Sequence, residues 1–110
     1  MGQAGKLDRR VQFQRATNVD DGLQQKEVFT NHGGRVWAGR RDVSDAERAV
    51  AGWIEATVAC RFTIRSSSFS RGLTAKDRLI CEGLSFDIQG IKQLDRRDYL
   101  EITATARADL

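Results

Sequence analysis

Residues 54–65 read IEATVACRFTIR, and this stretch decides the fold. Its even-numbered side chains are all apolar, and its odd-numbered side chains are polar except at Ala59. A period of two is typical of a β-strand that has one face on a core and the other toward water. Ile, Val and Thr are β-branched and fit a pleated sheet. The stretch therefore predicts a long amphipathic strand.

The length of this strand limits how it can pack. Twelve extended residues span roughly 40 Å, but a compact domain of this size has a radius of gyration of only about 13 Å. We therefore expect the strand to bend or coil and to pair with several others, as long strands do in small barrels and tightly rolled sandwiches. The alternative is a hairpin arm that reaches a neighbouring subunit.

The length and charge of the chain restrict its class. With 110 residues we expect one domain, residues 1–110, that is large enough for a buried core. The sequence has no long apolar run and no apolar signal region, so we predict neither a membrane span nor secretion by that route. The net charge is only +3, and all but four of the 18 basic residues are arginines. Arginine favours planar contacts to carboxylate or phosphate, although a solvated surface of mixed charge explains the same composition.

Residues capable of catalysis or metal binding are few and scattered. Cys60 and Cys81 occur in alternating stretches, so we expect them to be buried free thiols. Together with the single histidine, His32, they do not form a zinc motif, and no other metal or cofactor is predicted. The serines at 66–68 have no neighbouring base in the sequence, and no glycine-rich phosphate loop is present. The sequence therefore predicts a protein that is not an enzyme.

Short strands and turns make up most of the remaining chain. A hairpin over residues 77–91 is expected to turn at Gly83 and to carry a bulge at Gly90. Trp37 is expected to pack in the core. The predicted fold class is all-β, a small β-barrel of about six to seven mostly antiparallel strands with long loops and one short helix. The other strands are predicted over residues 9–15, 24–29, 35–39 and 100–104.

The one helix candidate covers residues 42–52. Ser44 and Glu47 fit a capping box, and Gly52 suits a helix end. A helix this short is unstable alone, so we expect it to dock. A charged hairpin or a mobile loop is the alternative.

Two stretches have the composition of exposed loops. Residues 16–22 contain Asn, Asp and Gly, which favour turns, and predict a loop or a wide hairpin. Residues 66–74 are rich in serine and are expected to be mobile. Phe69 in the second stretch either packs down as a plug or is offered to a partner.

Several short motifs follow one another along nearly the whole chain. They are GKLDRRVQFQR at 5–15, DDG at 20–22, VWA at 36–38, FTIR at 62–65, DRLI at 77–80, FDIQGI at 86–91 and DRR at 95–97. In this set and order the chain resembles the phage head–tail joining proteins, whose members begin with a Gly-x-Leu-x-x-Arg-hydrophobic run. The CEG at 81–83 departs from the more polar turn of that family, and the tail is short.

The resemblance implies a structural head–tail connector, or stopper, of a tailed phage, a prophage or a gene transfer agent. Many copies would form a homo-oligomeric ring below the portal and adaptor proteins and above a tail terminator or tail tube protein. The ring would continue the DNA channel, retain packaged DNA through transient, non-specific contact with the double strand, and give the tail a docking platform. It would belong to the virion and assemble in the bacterial cytoplasm. The family has no catalytic residues to carry over.

Exposure and composition suggest which side chains would make these contacts. The candidate residues of the oligomer or partner interface are Arg40, Arg41, Glu47, Arg48, Arg96 and Arg97. The candidate channel or docking loops contain Asp20, Asp21, Gly22, Ser67, Ser68, Phe69 and Arg71.

Two other functions remain open at this point. A small barrel that binds single-stranded nucleic acid would lay bases on exposed aromatic rings along a basic groove. The chain has only two Trp, one Tyr and five Phe residues, and most of them alternate inward. A small hydrolase would require a catalytic role for His32 or for the serines at 66–68.

Overall fold

The computed structural model describes residues 7–20, 22–52, 57–94 and 98–107 of the chain. Seven β-strands and one α-helix lie in these ranges, so the predicted all-β class with one short helix is confirmed. A 3-10 turn, Ser70–Gly72, lies between the fourth and fifth strands. In chain order the elements are β1 Arg9–Asp20, β2 Gln25–Asn31, β3 Val36–Asp42, α1 Asp45–Ala51, β4 Thr57–Arg65, β5 Arg78–Cys81, β6 Leu84–Leu94 and β7 Tyr99–Arg107.

β4 shows the alternating burial that was predicted for residues 54–65, of which the first three lie outside the described residues. Its even-numbered side chains from Cys60 to Ile64 are fully buried. Ala59 is also buried, but it points to the opposite side of the strand. Buried Val43 lies beside it, because the Val43 N–H donates to the Ala59 carbonyl over 2.9 Å. Ala59 therefore breaks the sequence pattern because both faces of β4 are covered here.

The strands form one antiparallel sheet that closes on itself. Neighbouring strands follow the order β2-β1-β3-β4-β7-β6-β5, and β5 pairs in addition with β1. The pair Phe13↔Leu79 belongs to this closing contact. Six strands, β1 and β3 to β7, therefore form a ring around one interior, which is the arrangement expected of a small barrel.

Apolar side chains from every strand of this ring fill the interior. Phe62 and Phe86 meet edge to face, with ring centroids 5.2 Å apart. Cys60 and Cys81 are buried free thiols, as predicted. Each large side chain buried in this way contributes about 1.5–3 kcal/mol. The core consists of Val11, Phe13, Ala38, Cys60, Phe62, Ile64, Leu73, Leu79, Cys81, Phe86, Ile88, Leu100, Ile102, Ala104 and Ala106.

β1 is longer than predicted and leaves the ring halfway along its length. Its first half pairs with β3 and β5, and its second half, from Gln14 to Asp20, forms seven cross-strand pairs with β2. Of the loop and the wide hairpin that the sequence left open for residues 16–22, the structure has the hairpin, and its first strand continues as far as Asp20 because pairing with β2 outweighs the turn preference of Asn and Asp. The turn follows, with Gly22 at φ 90°. Residues 16–31 form a projecting hairpin, called the arm below.

α1 begins and ends as its capping residues predict. The Ser44 hydroxyl accepts a hydrogen bond from the Glu47 N–H over 3.2 Å, and Gly52 ends the helix with φ 76°. Glu47 ties the helix to Arg61 of β4, with 2.6 Å between the charged atoms. However, Val50 is 90% exposed. The apolar face that we expected to dock is therefore left open within this chain.

The hairpin of β5 and β6 follows its sequence closely. Glu82 and Gly83 make the two-residue turn, and both have positive φ values, 52° and 83°. The register between β6 and β7 shifts between Ile88 and Gly90, which confirms the predicted bulge.

Candidate interface surfaces

The serine-rich stretch 66–74 is a compact turn rather than the open loop that its composition suggests. Ser70 is 2% exposed, and its hydroxyl donates to the Arg65 carbonyl over 3.0 Å. The Ser67 N–H donates to the same hydroxyl over 2.7 Å. Among the predicted loop residues, Ser67, Ser68 and Arg71 are exposed at the surface of this turn.

Phe69 packs down as a plug. Its ring lies 6.1 Å from that of Phe13 and 5.1 Å from that of His32, measured between centroids. It also covers Gly33, where an added Cβ would lie 2.5 Å from the Phe69 ring. Gly33 has φ 72°, so both its backbone and its side-chain space require glycine. Of the two placements that the sequence left open for Phe69, the structure has the inward one.

An ion pair that the sequence did not reveal joins β1 to the start of β5. The Asp77 carboxylate is 3% exposed and accepts hydrogen bonds from Arg15 Nε over 3.0 Å and from Arg15 Nη2 over 2.9 Å. It also accepts from the backbone N–H of Thr74 over 2.9 Å. The two charged residues are 62 positions apart, so no local spacing could have predicted the pair.

These contacts decide the charge of Asp77. Burial by itself raises the pKa of its carboxyl group, but the hydrogen bonds from Arg15 and Thr74 and the charge of Arg15 outweigh burial, so the pKa lies below its ordinary value. The pair is therefore charged at neutral pH and holds the turn at 70–77 against the base of the arm. A groove of about 640 Å³ lies beside it, lined by Arg15, Ala16, Asn18, Glu27, Gly72, Thr74, Lys76 and Asp77.

The arm presents apolar side chains to solvent. Val19 is 47% exposed, Val28 is 37% exposed, and Leu23 near the tip is 95% exposed. The predicted loop residue Asp20 ends β1, and its side chain accepts a hydrogen bond from the Gly22 N–H over 2.9 Å. Asp21 lies outside the described residues. The first predicted docking loop is therefore the tip of a long two-stranded ribbon.

The predicted interface charges near α1 differ in exposure. Arg41 and Glu47 are exposed, and Arg48 is half-buried. The predicted residues Arg96 and Arg97 lie outside the described residues. The structure therefore brings Glu47 and Arg48 together on one short helix, with Arg41 at the end of the preceding strand.

Arg40, in contrast, belongs to the inner side of the sheet. Its guanidinium lies 5.6 Å from the centroid of the Phe86 ring and donates to Glu82 over 3.1 Å. The side chain is 19% exposed. The buried thiol of Cys60 lies in the same region, and burial, followed by its hydrogen bond to Asp42, raises its pKa to about 11. This thiol is therefore protonated at neutral pH and is not a nucleophile.

A row of alternating arginine and aromatic side chains crosses the outer face of β1, β3, β4 and β7. Trp37 is 51% exposed, and Arg10, its cross-strand partner, lies 4.5 Å from the centroid of its ring. Arg65 pairs with Tyr99 and donates to the Tyr99 hydroxyl over 3.3 Å. The β3–β4 ladder begins at the pair Ala38↔Ile64, one residue along each strand from Trp37 and Arg65. The four residues Arg10, Trp37, Arg65 and Tyr99 are called the Trp37 row below.

The prediction that Trp37 packs in the core is wrong. Val36, which points to the other side of β3, packs against the core instead. Sequence reasoning expected the two residues on opposite sides but assigned the larger ring to the interior. Arg10, which lies over the Trp37 ring, was the available signal, because an arginine next to an exposed aromatic ring gains a cation–π contact.

Neither a metal-binding cluster nor a membrane-spanning helix is found among the residues that the structure describes. None of their His, Cys, Asp and Glu side chains form a group of three or more that could hold a metal ion. No helix among them is both long enough and apolar enough to cross a membrane.

A closed antiparallel sheet with a projecting hairpin and an exposed arginine–aromatic row defines a small β-protein without a catalytic constellation among the residues that the structure describes. The sequence profile of the phage head completion proteins matches residues 2–107. The chain therefore belongs to this family of structural phage proteins and has a structural role at the head–tail region of a phage or phage-like particle. The resemblance to phage head–tail proteins, inferred from the sequence motifs, is confirmed.

Solved structures that share the fold include the following two chains. A chain of the virion of a native gene transfer agent particle superposes with a TM-score of 0.69 at 22% identity, covering 91% of this chain and 94% of that chain. Protein SF1141 from Shigella flexneri 2a, solved in solution, superposes with a TM-score of 0.72 at 24% identity, covering 98% of this chain and 99% of that chain. Among curated proteins, no sequence matches the chain significantly.

Proposed function

We propose that this protein is a head–tail connector, or stopper, subunit of a tailed phage or phage-like particle. The family match over residues 2–107 is the observation that carries the proposal. Many copies form a ring below the portal and adaptor proteins, and this ring continues the DNA channel and retains the packaged DNA. A tail terminator or tail tube protein docks on its other side. The subunit assembles from the bacterial cytoplasm and works by contact alone, without catalysis or a cofactor.

The architecture suits a ring subunit. A sheet closed on itself is a rigid block, and ring assembly requires two different surfaces on each copy that fit one another. The groups proposed for contacts with neighbours and partners fall in two sets. The interface set contains Arg41, Glu47, Arg48, Arg96 and Arg97, and the loop set contains Asp20, Asp21, Gly22, Ser67, Ser68 and Arg71.

The charge of the chain suits a channel through which DNA moves. Affinity for DNA grows with the number of phosphates that basic side chains neutralise. A net charge of +3, with acidic residues interspersed, supports weak and non-specific contact with the double strand. DNA can then slide during packaging and ejection, and its retention depends on the geometry of the ring.

Deleting the gene in a strain that produces the particle tests the proposal. We expect heads that lose their DNA and lack tails, counted by negative-stain microscopy and by nuclease-protected DNA per head. A plasmid copy of the wild-type gene should restore both, and a copy with Arg96→Glu and Arg97→Glu should restore fewer tailed particles. Normal numbers of tailed, DNA-filled particles without the protein would contradict the proposal.

Binding of single-stranded nucleic acid is a second candidate function. One observation favours it, since Trp37 and Tyr99 are aromatic residues on the outer face and each contacts an arginine. A salt-sensitive affinity for an oligonucleotide that is lost in Trp37→Ser would support this candidate.

A further inference from the structure

The hydrogen-bond pattern of the arm leaves one edge of β1 open. The His32 N–H donates to the Phe13 carbonyl over 2.9 Å, in the register that the β1–β2 ladder follows. Successive residues of a strand direct their backbone groups to opposite edges, so the odd-numbered residues of β1 point toward β2. Ala16, Asn18 and Asp20 therefore direct their N–H and carbonyl groups toward the other edge.

The strand that occupies this edge in the closed sheet stops before the arm. β5 pairs with β1 only as far as Gln14, and the residues that precede β5 form the turn at 70–77. Among the residues that the structure describes, no strand continues this pairing along residues 16–20. The groove of about 640 Å³ described above lies here, between β1 and the turn. The open edge of β1 therefore has space beside it.

The second strand of the arm has an open edge as well. β2 is the last strand of the sheet, and β1 is its one neighbour within the described part of the chain. Its even-numbered residues point toward β1, so Gln25, Glu27 and Phe29 direct their N–H and carbonyl groups outward. Open strand edges are sites where further strands add, and proline, which often blocks them, is absent from the chain. The two edges lie on opposite sides of one ribbon, so they can meet only between different copies.

The side chains at the two edges are complementary. Lys76 lines the groove, and neither Lys76 nor Glu27 forms an ion pair with any residue that the structure describes. Cross-strand partners project on the same face. With Glu27 of the neighbour opposite Asn18, its carboxylate therefore enters the groove that Asn18 and Lys76 line. On the other face, Val19 then lies diagonal to Val28 of the neighbour, which covers two exposed valines.

We propose that the arms of neighbouring copies pair side by side, with the open edge of β1 in one copy hydrogen-bonded to the open edge of β2 in the next. This inference rests on the ring proposed above and identifies a contact between its subunits. Arms that point the same way place β1 beside an antiparallel β2, which is the pairing that each arm already has. The contact joins two different edges, and such a contact generates a closed ring when the rotation between copies permits.

A second copy fits this edge better than an unrelated peptide. Strand addition gains its affinity from main-chain hydrogen bonds, which any extended segment can supply. A second copy in addition brings an open edge of its own, so the same contact satisfies both edges of the arm.

Amide hydrogen exchange of the full chain, followed by nuclear magnetic resonance, tests the contact directly. In dilute solution the N–H groups of Asn18 and Glu27 should exchange freely, whereas those of Thr17 and Val28 are held in the ladder within the arm. Concentrating the protein to about 1 mM detects association with Kd values near 1 mM. Exchange at Asn18 and Glu27 should then slow together. If both exchange at about 1 mM as they do in dilute solution, the proposal is overturned.

Proline substitutions remove the outward N–H groups one edge at a time. Asn18→Pro acts on β1 and Glu27→Pro on β2, and neither disturbs the ladder within the arm, because proline is tolerated where its nitrogen faces away from the sheet. Each variant alone should associate at least about tenfold more weakly than wild type. Asn18→Thr is the matched control, because it changes the side chain but keeps the N–H, and it should associate like wild type.

Mixing the two proline variants tests whether the contact joins different edges. The intact β2 edge of Asn18→Pro can still pair with the intact β1 edge of Glu27→Pro, so we expect one-to-one dimers by sedimentation. A mixture that stays monomeric while wild type associates contradicts the arrangement. If Glu27→Pro alone associates like wild type, β2 takes no part and the inference is overturned. Circular dichroism establishes that each variant folds, and if either does not, the exchange experiment on wild type decides.

The outcomes separate this inference from the stopper proposal. If wild type associates while Asn18 and Glu27 remain unprotected, the pairing of arms is overturned, and the gene-deletion experiment still decides the stopper role. If Asn18→Pro associates as strongly as Asn18→Thr, the pairing is overturned in the same way. Tailed particles without the protein would instead remove the stopper role and leave a pairing measured in solution intact.

Discussion

Replacing Asp77 by asparagine should strongly destabilise the fold. The carboxylate accepts three hydrogen bonds, two from Arg15 and one from the Thr74 N–H, and is almost fully buried. Hydrogen bonds to charged groups contribute about 1.5–3 kcal/mol each. The asparagine amide retains one acceptor oxygen. Its NH2 group is a donor and would face an N–H donor of Arg15 or Thr74. Because water can still reach the guanidinium in the variant, we expect a net loss of about 2–3 kcal/mol.

Urea denaturation followed by circular dichroism measures this loss, and thermal melting should show a midpoint about 10 °C lower. The effect should depend on pH with a definite sign. The folded-state pKa of Asp77 lies below its ordinary value of 3.8, so the contribution of the carboxylate is complete above that value and is lost as the pH falls through the folded-state pKa. The difference between wild type and Asp77→Asn should stay constant down to about pH 5 and shrink below about pH 4.

A matched control separates the buried carboxylate from a general loss of charge. Asp87 is exposed on β6, and Asp87→Asn should change the stability by less than about 0.5 kcal/mol. A double-mutant cycle with Arg15→Gln should show coupling between positions 15 and 77. The reasoning is refuted if Asp77→Asn is as stable as the control variant, or if its deficit persists unchanged at acid pH.

Three further predictions concern single side chains. Gly33→Ala should lower the free energy of unfolding by about 2 kcal/mol in urea denaturation, because φ at this position is positive and the new Cβ would meet the Phe69 ring. The control Gly34→Ala has open space around its Cβ and should be near neutral. Equal effects of the two variants would contradict the packing of Phe69 on Gly33. Ser44→Ala should cost about 1 kcal/mol through loss of the helix cap, and no change in helical circular dichroism or stability would argue against the cap. The Cys60 thiol, with its pKa raised to about 11, should react with a thiol reagent only after unfolding, and fast reaction of the folded protein would show that it is accessible.

The strands with one buried face were predictable from the sequence because their chemistry is local. The alternation around Phe62 is a direct consequence of a pleat with one apolar side. Ser44 marks a helix start through its hydroxyl, which accepts from the nearby Glu47 N–H, and Gly83 marks a tight turn through its own backbone conformation. Such signals do not depend on what lies elsewhere in the chain.

The parts that could not be predicted depend on distant partners. The turn preferences at residues 16–20 gave way to pairing with β2, which no property of those residues alone reveals. Asp77 was assigned only to the start of a hairpin, since its partner Arg15 is far away in sequence. Trp37 was assigned to the core because of its size, yet it lies on the outer face with Arg10 over its ring.

The candidate contact residues show the same division. Arg40 was assigned to the interface from expected exposure and composition, but its register on β3 turns it toward Phe86. Phe69 was correctly limited to two placements, and its contacts with Phe13, His32 and Gly33, which are distant in sequence, decide between them. The alternation of apolar and polar residues can be read along one strand, but the exposure of a side chain depends on which strands and turns pack around it.

The continuity of β1 has a mechanical consequence. A single strand runs from the closed sheet into the arm, so a pull on the tip acts along the axis of that strand. The hydrogen bonds that anchor it, from Arg9 to Gln14 against β3 and β5, lie across the direction of pull in an antiparallel sheet. They therefore resist in shear and share the force, instead of opening one after another as in a peeled loop. Tension applied through the arm is thus distributed over the whole core.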